Sequence, residues 1–287
     1  MIRLPIIRAI ETPVDSDENL KVNEPMLTEW LIAFLRDEIV RRRGFKTAVV
    51  GISGGVDSSL VAFLLAEALG ASNVFGIRMP YRTSSADSLE HAALVQQATG
   101  INMQTIEITD AADGYLKMCP DADGRRRGNV MARIRMTVVF DQSQKLGTLP
   151  VGTGNKTERL FGYYTWHADD SPPVNPLGDL YKTQVWALAR FMGVPEVIVG
   201  KPASADLIVG QTDESDFGIS YPKADRILFY LLRGFTLQRL LDMGFPEADI
   251  TLVKRRLDTT HWKRHLPTTA MLSSTSINDY YLRPVDY

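Results

Sequence analysis

A glycine- and serine-rich segment near the start of the chain could bind the phosphates of a nucleotide. It reads Gly51-Ile52-Ser53-Gly54-Gly55-Val56-Asp57-Ser58-Ser59. Glycines let backbone N–H groups approach a ligand closely, and the serine hydroxyls add further donors. A helix that begins directly after such a loop points its free N–H groups and positive dipole end at the same place. The segment therefore predicts an anion site of pyrophosphate size, and Asp57 at its rim is a natural ligand for Mg²⁺.

The exact spacing of this loop excludes two common nucleotide-binding motifs. A Walker A loop ends in Gly-Lys-Ser or Gly-Lys-Thr, and a dinucleotide fingerprint needs G-x-G-x-x-G. Neither pattern is present in residues 51–59. The segment instead contains S-G-G-x-D-S, which resembles the pyrophosphate loop of the ATP pyrophosphatases.

The elements around the loop alternate between strands and helices. Short apolar, β-branched runs predict four strands, at residues 47–52, 74–79, 101–108 and 148–151. Apolar residues at helical spacing predict helices at residues 25–43, 58–69, 85–99 and 129–146. This alternation predicts an α/β fold with a doubly wound, Rossmann-like parallel sheet. The loop then lies at the carboxyl end of the first strand, where such sheets bind ligands.

The pattern becomes helical after residue 179. Further helices are predicted at residues 180–192, 222–232, 237–243 and 248–262. Two polar segments, at about 80–90 and 200–221, are predicted to be mobile loops that close over a ligand. We therefore predict an N-terminal arm at residues 1–24, one α/β domain with a helical C-terminal part at 25–275, and a tail at 276–287.

Composition narrows the class of protein further. The 287 residues contain 32 Lys and Arg against 34 Asp and Glu, so the net charge of −2 argues against a nucleic-acid partner. The one cysteine, Cys119, excludes an internal disulfide and suits a reducing compartment. The longest apolar run, residues 60–66, is far below the roughly 18 residues that span a bilayer. A cytoplasmic protein without a membrane partner is predicted.

A second block of sequence identifies the family that the chain resembles. Residues 152–191 read GTGNKTERLFGYYTWHADDSPPVNPLGDLYKTQVWALARF. They resemble the ammonia-dependent NAD synthetases, whose pattern is GT-x-N-K-[ST]-E, then G-[YF]-[FY]-T, then NP-[IL]-x-D-L-x-K-T. Residues 128–136 (GNVMARIRM), 211–214 (QTDE) and 263–267 (KRHLP) resemble further motifs of that family. The resemblance covers about residues 25–270, and several ordered motifs are more specific than the loop alone.

The resemblance implies a role for each matched position. The ATP-binding residues would be Gly51, Ile52, Ser53, Gly54, Gly55, Val56, Asp57, Ser58, Arg78, Thr153, Lys182 and Ser204. Asp57 and Glu158 would bind Mg²⁺, and Asp57 and Lys182 would be catalytic. The positions that contact the acidic dinucleotide would be Arg133, Trp166, Pro173, Trp262 and Lys263. A cation at Lys182 agrees with the charge of ATP, about four negative charges that one Mg²⁺ leaves incompletely neutralised.

The same resemblance implies a two-step reaction. The carboxylate of nicotinic acid adenine dinucleotide attacks the α-phosphate of ATP, and ammonia then converts the acyl-adenylate to NAD with release of AMP. No protein nucleophile is required, so catalysis is positioning and charge neutralisation. The family also implies a homodimer with the dinucleotide at its interface. Ammonia would be free or delivered by a partner.

Three positions depart from the family pattern and keep a second substrate open. Trp166 replaces a lysine, Pro173 replaces an aspartate and Trp262 replaces a histidine. Tryptophan stacks on rings but cannot pair with a carboxylate or phosphate. These changes are subfamily variation, or they reshape the pocket for another carboxylate such as nicotinic acid mononucleotide.

Two other classes are less consistent with the sequence. A tRNA-thiolating or lysidine-type enzyme would share the loop, but it would need a basic surface or reactive cysteines. A non-catalytic nucleotide sensor would not need Asp57, Glu158 and Lys182 together.

Overall fold

The computed structural model describes residues 13–204, 212–265 and 268–272. Its centre is a sheet of four parallel strands, β1 (Ala48–Gly51), β2 (Val74–Arg78), β3 (Asn102–Thr105) and β4 (Leu149–Val151). The strand order is β3-β2-β1-β4. Strand β2 therefore pairs with one side of β1, followed by β3, and β4 pairs with the other side of β1. This reversal leaves a crevice at the carboxyl ends of β1 and β4, as expected for a doubly wound sheet.

Helices account for most of the remaining described chain. In order they are α1 (Glu24–Arg36), α2 (Val56–Leu69), α3 (Ala86–Thr99), α4 (Thr109–Leu116), α5 (Gly124–Leu146), α6 (Lys156–Phe161), α7 (Lys182–Phe191), α8 (Glu196–Val199), α9 (Asp213–Phe217), α10 (Tyr221–Leu231), α11 (Leu237–Asp242) and α12 (Glu247–Thr259). No helix of the described residues is long and apolar enough to cross a bilayer.

Alternating side chains of the strands face two helical layers. Ala48 and Val50 of β1 belong to a large apolar cluster with α1, α2 and α7, whereas Val49 packs with Ile77 and Val139 on the opposite face. Helix α2 packs against α1, α3 and α7, and α5 packs against β1 and β4. Burial of both faces fixes the register of the sheet, because a slip of one residue would exchange the two sets of side chains.

A second apolar cluster forms among the C-terminal helices. Phe217 lies at its centre and makes edge-to-face ring contacts with Phe161, Tyr163 and Tyr221. Leu20, from a short 3₁₀ turn at Glu18–Leu20, is buried in the same cluster. Residues 13–23 of the predicted arm therefore contact the C-terminal helices. Residues 1–12 of that arm, and the predicted tail at 276–287, lie outside the described residues, so the proposed division of the chain stays a prediction.

The predicted α/β class and doubly wound sheet are confirmed, while several boundaries were wrong. Helix α5 begins at Gly124 rather than at residue 129, because the Asp123 side chain accepts a hydrogen bond from the N–H of Arg126 and caps it. Strand β3 ends at Thr105 rather than at 108, and α12 ends at Thr259 rather than at 262. Helices α4, α6, α8 and α9 were not predicted, since they have eight residues or fewer and show little periodicity.

Candidate functional site

A cleft of about 360 Å³ opens at the carboxyl ends of β1 and β4. It is lined by the loop after β1, the end of β2, the N-terminal parts of α6 and α7, and the start of the segment at 200–221. Eleven of the twelve predicted ATP-binding residues line it, namely Gly51, Ile52, Ser53, Gly55, Val56, Asp57, Ser58, Arg78, Thr153, Lys182 and Ser204. Glu158 lines it as well. Residues 205–211 of the predicted mobile loop lie outside the described part of the chain.

Hydrogen bonds within the loop after β1 fix its conformation. Ser58 Oγ lies 3.2 Å from the backbone N of Ser53 and donates to the carbonyl of Gly55 over 3.1 Å. Gly54 has φ +80°, and a Cβ built there would lie 2.4 Å from the carbonyl oxygen of Ser88. Gly54 therefore lies against α3 and not in the cleft lining. The first residues of α2, from Val56 to Ser58, line the cleft, and no side chain caps this 14-residue helix, so its positive end is available to a bound anion.

The short helix α6 brings Glu158 to the same point. Asn155 and Glu158 form a capping box, in which the Asn155 side chain accepts from the N–H of Glu158 and Glu158 accepts from the N–H of Asn155. The amide nitrogen of the Asn155 side chain also donates to Asp57 Oδ1 over 3.0 Å. One cap thus orients both carboxylates that were predicted to bind metal.

Lys182 is the cation between these carboxylates. Its side chain is buried, its ammonium group donates to Asp57 Oδ2, and it lies 3.7 Å from Glu158 Oε1. Burial alone would lower the pKa of Lys182, but the charges of Asp57 and Glu158 raise it above the ordinary value. Burial and the neighbouring charge of Asp57 raise the pKa of Glu158 to about 8. Lys182 therefore balances the charge of Asp57, and the site disfavours a second negative charge on Glu158 until a further cation approaches.

Asp213 adds a third carboxylate that the sequence analysis quoted within a motif but did not select. It is buried, lines the cleft and accepts a hydrogen bond from the Tyr221 hydroxyl over 2.8 Å. Its Oδ1 atom has no hydrogen-bond partner among the described residues. Burial raises the pKa of Asp213, and the charge of Lys182 lowers it.

Further basic side chains line the cleft, from the end of β2, from α5 and from the residues after α8. Arg78, at the end of β2, has a buried Nε atom without a hydrogen-bond partner in the described chain. Arg135 donates to the carbonyl of Met79 over 3.1 Å, and Lys201 follows α8. Arg135 stands in the motif at residues 128–136 but was not selected as a site residue, and Lys201 was missed, because no motif or spacing distinguishes it from a surface cation. With Arg78, they make the cleft attractive to phosphate.

The five positions predicted to contact the dinucleotide lie beside the cleft rather than in its lining. Their neighbours Ala132, Thr165 and Pro172 line it instead. Trp166 and Trp262 pack edge-to-face with ring centroids 5.2 Å apart, and Arg133 donates to the carbonyl of Trp166 over 3.3 Å. The structure thus brings Arg133, Trp166 and Trp262 together on an outer face, and it does not place Pro173 in the cleft lining.

Lys263 contacts protein carbonyls. Its ammonium group donates to the carbonyls of Gly162 and Tyr164 over 2.6 and 2.5 Å. Arg264 beside it donates to the carbonyls of Arg159 and Leu160. Both cations therefore lie at the carboxyl end of α6, where they complement the helix dipole. In this structure, Lys263 holds the turn that follows Glu158, a role that sequence reasoning did not assign to it.

The fold and the cleft together define a class of protein. A parallel, doubly wound sheet carries an S-G-G-x-D-S loop at its switch point, and both carboxylates and cations line the cleft at this loop. This is the arrangement of a nucleotide-binding α/β protein with a pyrophosphate loop. The sequence model of the NAD synthase family matches residues 27–267, and the chain belongs to that family.

Individual relatives agree with this assignment. The NH₃-dependent NAD⁺ synthetase of Trichlorobacter lovleyi is 45% identical over 90% of this chain and 95% of its own. That of Fusobacterium nucleatum is 45% identical over 84% and 94%. Two solved structures are also similar. An NH₃-dependent NAD synthetase from Campylobacter jejuni superposes with a TM-score of 0.75 at 31% identity over 87% of this chain and all of its own. An NMN synthetase from Francisella tularensis gives 0.77 at 25% identity over 87% and 99%.

Proposed function

We propose that this protein catalyses the ATP-dependent amidation of nicotinic acid adenine dinucleotide to NAD with ammonia. The main structural support for the proposal is that buried Lys182 pairs with Asp57 of the phosphate loop and lies 3.7 Å from Glu158 Oε1 of α6. Relatives at 45% identity that are named NH₃-dependent NAD⁺ synthetase support the substrate and the nitrogen source.

The reaction follows from what the lining residues can do. Backbone N–H groups of the loop and of α2 hold the phosphates of ATP, with Thr153 and Ser204 as further contacts. The nicotinate carboxylate oxygen forms a bond to the α-phosphorus, and the bond from that phosphorus to the β-phosphate bridge oxygen breaks. Lys182 and Arg78 stabilise the charge that develops on the phosphates. Ammonia then attacks the activated carbonyl carbon, AMP leaves, and the nitrogen loses its extra proton to solvent or a carboxylate.

The donor set of the cleft fits Mg²⁺, which would be held by Asp57 and Glu158. Mg²⁺ prefers a few carboxylate oxygens together with substrate phosphates. No group of three or more acidic, His or Cys side chains is arranged to hold a metal ion within residues 13–204, 212–265 and 268–272. Phosphate oxygens of ATP would complete the ligands. When bound, the ion neutralises phosphate charge and polarises the phosphoryl group.

We expect removal of the divalent ion with EDTA to abolish activity and Mg²⁺ to restore it. In Glu158→Gln, the Mg²⁺ concentration for half-maximal activity should rise by about tenfold or more, because one charged ligand is lost. Calorimetric titration of the ATP complex with Mg²⁺ gives the same shift without turnover. Glu107→Gln, an exposed carboxylate away from the cleft lining, is the control. An unchanged Mg²⁺ requirement in Glu158→Gln would contradict the assignment.

The decisive test of function is a substrate panel. Purified protein is incubated with ATP, Mg²⁺, ammonium and the dinucleotide acid, and AMP and NAD are quantified together. Equal amounts of both products support the proposal. The panel includes nicotinic acid mononucleotide, because Trp166 and Trp262 replace polar contacts and a similar structure is named NMN synthetase. Amidation of the mononucleotide in preference to the dinucleotide would replace the proposed substrate.

We further propose that the protein is a homodimer in which α1 contributes to the interface. Met26 and Trp30 are each 64% exposed, and the Trp30 ring stacks on Phe34 with centroids 5.8 Å apart. Exposed aromatic patches of this kind are typical of interfaces.

Sedimentation should give a dimer mass for the native protein. Trp30→Glu is expected to weaken the dimer by at least tenfold, because it places a charge in an apolar contact. Val197→Glu, which introduces the same charge at another exposed apolar residue on α8, should have no effect on the mass. A native protein that sediments as a monomer would overturn this proposal.

A further inference from the structure

One buried carboxylate joins the two helices that carry Glu158 and Lys182. Asp225 lies on α10 and has no exposed surface. Its Oδ1 accepts from the Thr157 hydroxyl over 2.6 Å. Its Oδ2 accepts from the backbone N–H and the hydroxyl of Thr183, each over 2.9 Å. All three donors come from the first turns of α6 and α7.

The hydroxyl of Thr157 extends this connection to Lys182 itself. It accepts a hydrogen bond from the backbone N–H of Lys182 over 3.1 Å while it donates to Asp225. Thr157 directly precedes Glu158, and Thr183 directly follows Lys182. Asp225 therefore contacts the sequence neighbours of Glu158 and Lys182 and, through Thr157, the backbone of Lys182, while it does not itself line the cleft.

We infer that Asp225 is a positioning residue that sets the separation of Glu158 and Lys182 by fixing the first turns of α6 and α7. The inference rests on the proposed function, because it concerns how that reaction's charged groups are held. The first turn of α7 presents a backbone N–H to this carboxylate, where a negative charge is favourable, and the first turn of α6 is tied to it through the Thr157 hydroxyl.

A carboxylate suits this position better than its neutral amide. All three hydrogen bonds at Asp225 are donated to it, so an amide nitrogen in place of one oxygen would face the N–H of Thr183 or would leave the proton of a threonine hydroxyl without its acceptor. Burial raises the pKa of Asp225 to about 6, while hydrogen bonds from Thr157 and Thr183 lower it. The group is thus ionised at neutral pH and can accept all three bonds.

The test compares Asp225→Asn with Ile227→Val, a change at another fully buried residue of α10. Both are assayed well below their unfolding temperatures, where each is folded. We expect kcat/KM for ATP to fall on the order of 10–100-fold in Asp225→Asn, because small misplacements of reacting groups have effects of that size. Ile227→Val should retain the native value. Equal losses in the two variants would show a general effect of stability and overturn the inference.

Two further measurements separate this inference from the proposed function. Calorimetry of ATP with Mg²⁺ needs no product, and it should give a dissociation constant about tenfold higher in Asp225→Asn, a change of about 1.4 kcal/mol. A native dissociation constant in that variant would overturn the inference even if NAD is formed. A product assay without NAD, together with the weakened binding, would overturn only the proposed function.

A double-mutant cycle tests the route through Thr157. Thr157→Val keeps the shape of the side chain but removes its hydrogen bonds. If Asp225 acts through this hydroxyl, the double variant should lose much less activity than the product of the two single losses. Independent, multiplicative losses would overturn this route.

Discussion

Replacement of Lys182 by methionine is expected to lower kcat/KM for ATP by about 10³-fold, the effect typical of losing one preorganised charge at a reacting centre. Methionine fills a similar volume, so the buried space around α7 is retained. What is lost is the cation that contacts Asp57 and lies 3.7 Å from Glu158 Oε1. The two carboxylates then face incoming phosphates without that counter-charge, which should weaken ATP binding as well as slow its reaction.

Lys156→Met provides a matched control for this variant. Lys156 begins the neighbouring helix α6, and its ammonium group lies 2.7 Å from Asp179, whose side chain is 94% exposed. Because Asp179 is exposed, solvent screens this pair, and such surface pairs contribute about 0–1 kcal/mol to stability. Steady-state kinetics should therefore separate the two lysines by two or more orders of magnitude. Similar activity in both variants would remove Lys182 from the proposed mechanism.

Substitution of Gly54 by alanine is expected to abolish tight ATP binding, with a dissociation constant raised on the order of 100-fold or more, about 2.7 kcal/mol. Two causes combine. The residue has φ +80°, and its new Cβ would lie 2.4 Å from the carbonyl oxygen of Ser88 and 3.0 Å from its Cα. Backbone atoms cannot move aside as a flexible side chain does, so the loop itself must shift. Calorimetric titration with ATP and Mg²⁺ measures the loss.

Gly147→Ala measures the backbone strain of a positive φ without the steric contact, so comparison with Gly54→Ala shows the effect of the contact alone. Gly147 also has a positive φ, +63°, but a Cβ there would meet nothing within 4 Å. Alanine at such a position costs about 1–2 kcal/mol of backbone strain, which should appear as a lower unfolding temperature. ATP binding should remain native in this variant. If Gly54→Ala behaves in the same way, the loop does not depend on its close approach to α3.

Much of the site could be predicted from the sequence because its parts are local. The string at residues 51–59 specifies a strand, a glycine-rich turn and a helix start within nine residues. Asn155 and Glu158 also stand at the spacing of a capping box, a signal that was present but was not used. The alternation of strands and helices likewise predicted the parallel sheet, because each element was identified from the spacing of apolar residues that are close in sequence.

Contacts between distant parts of the chain could not be predicted in this way. Lys182 pairs with Asp57 across 125 positions, and Asp225 accepts from Thr157 across 68. Asp213 stands in the motif at residues 211–214, but only the structure shows that it is buried beside Tyr221 and lines the cleft. Lys263 was predicted from the resemblance to contact substrate, yet its ammonium group lies against the carbonyls of Gly162 and Tyr164.

By itself, the sequence determined the phosphate loop, the fold class and the family motifs, because each depends on spacing along a few turns or strands. Only the tertiary structure decided which charges meet. Ion pairs, burial and pKa shifts arise where separate elements pack, and α10 packs against both α6 and α7 through an apolar cluster whose residues are distant from one another in sequence. The resemblance had assigned Asp57, Glu158 and Lys182 to one site, but the ion pairs that join them, and the hydrogen bonds of Asp225 to Thr157 and Thr183, became visible only in the folded protein.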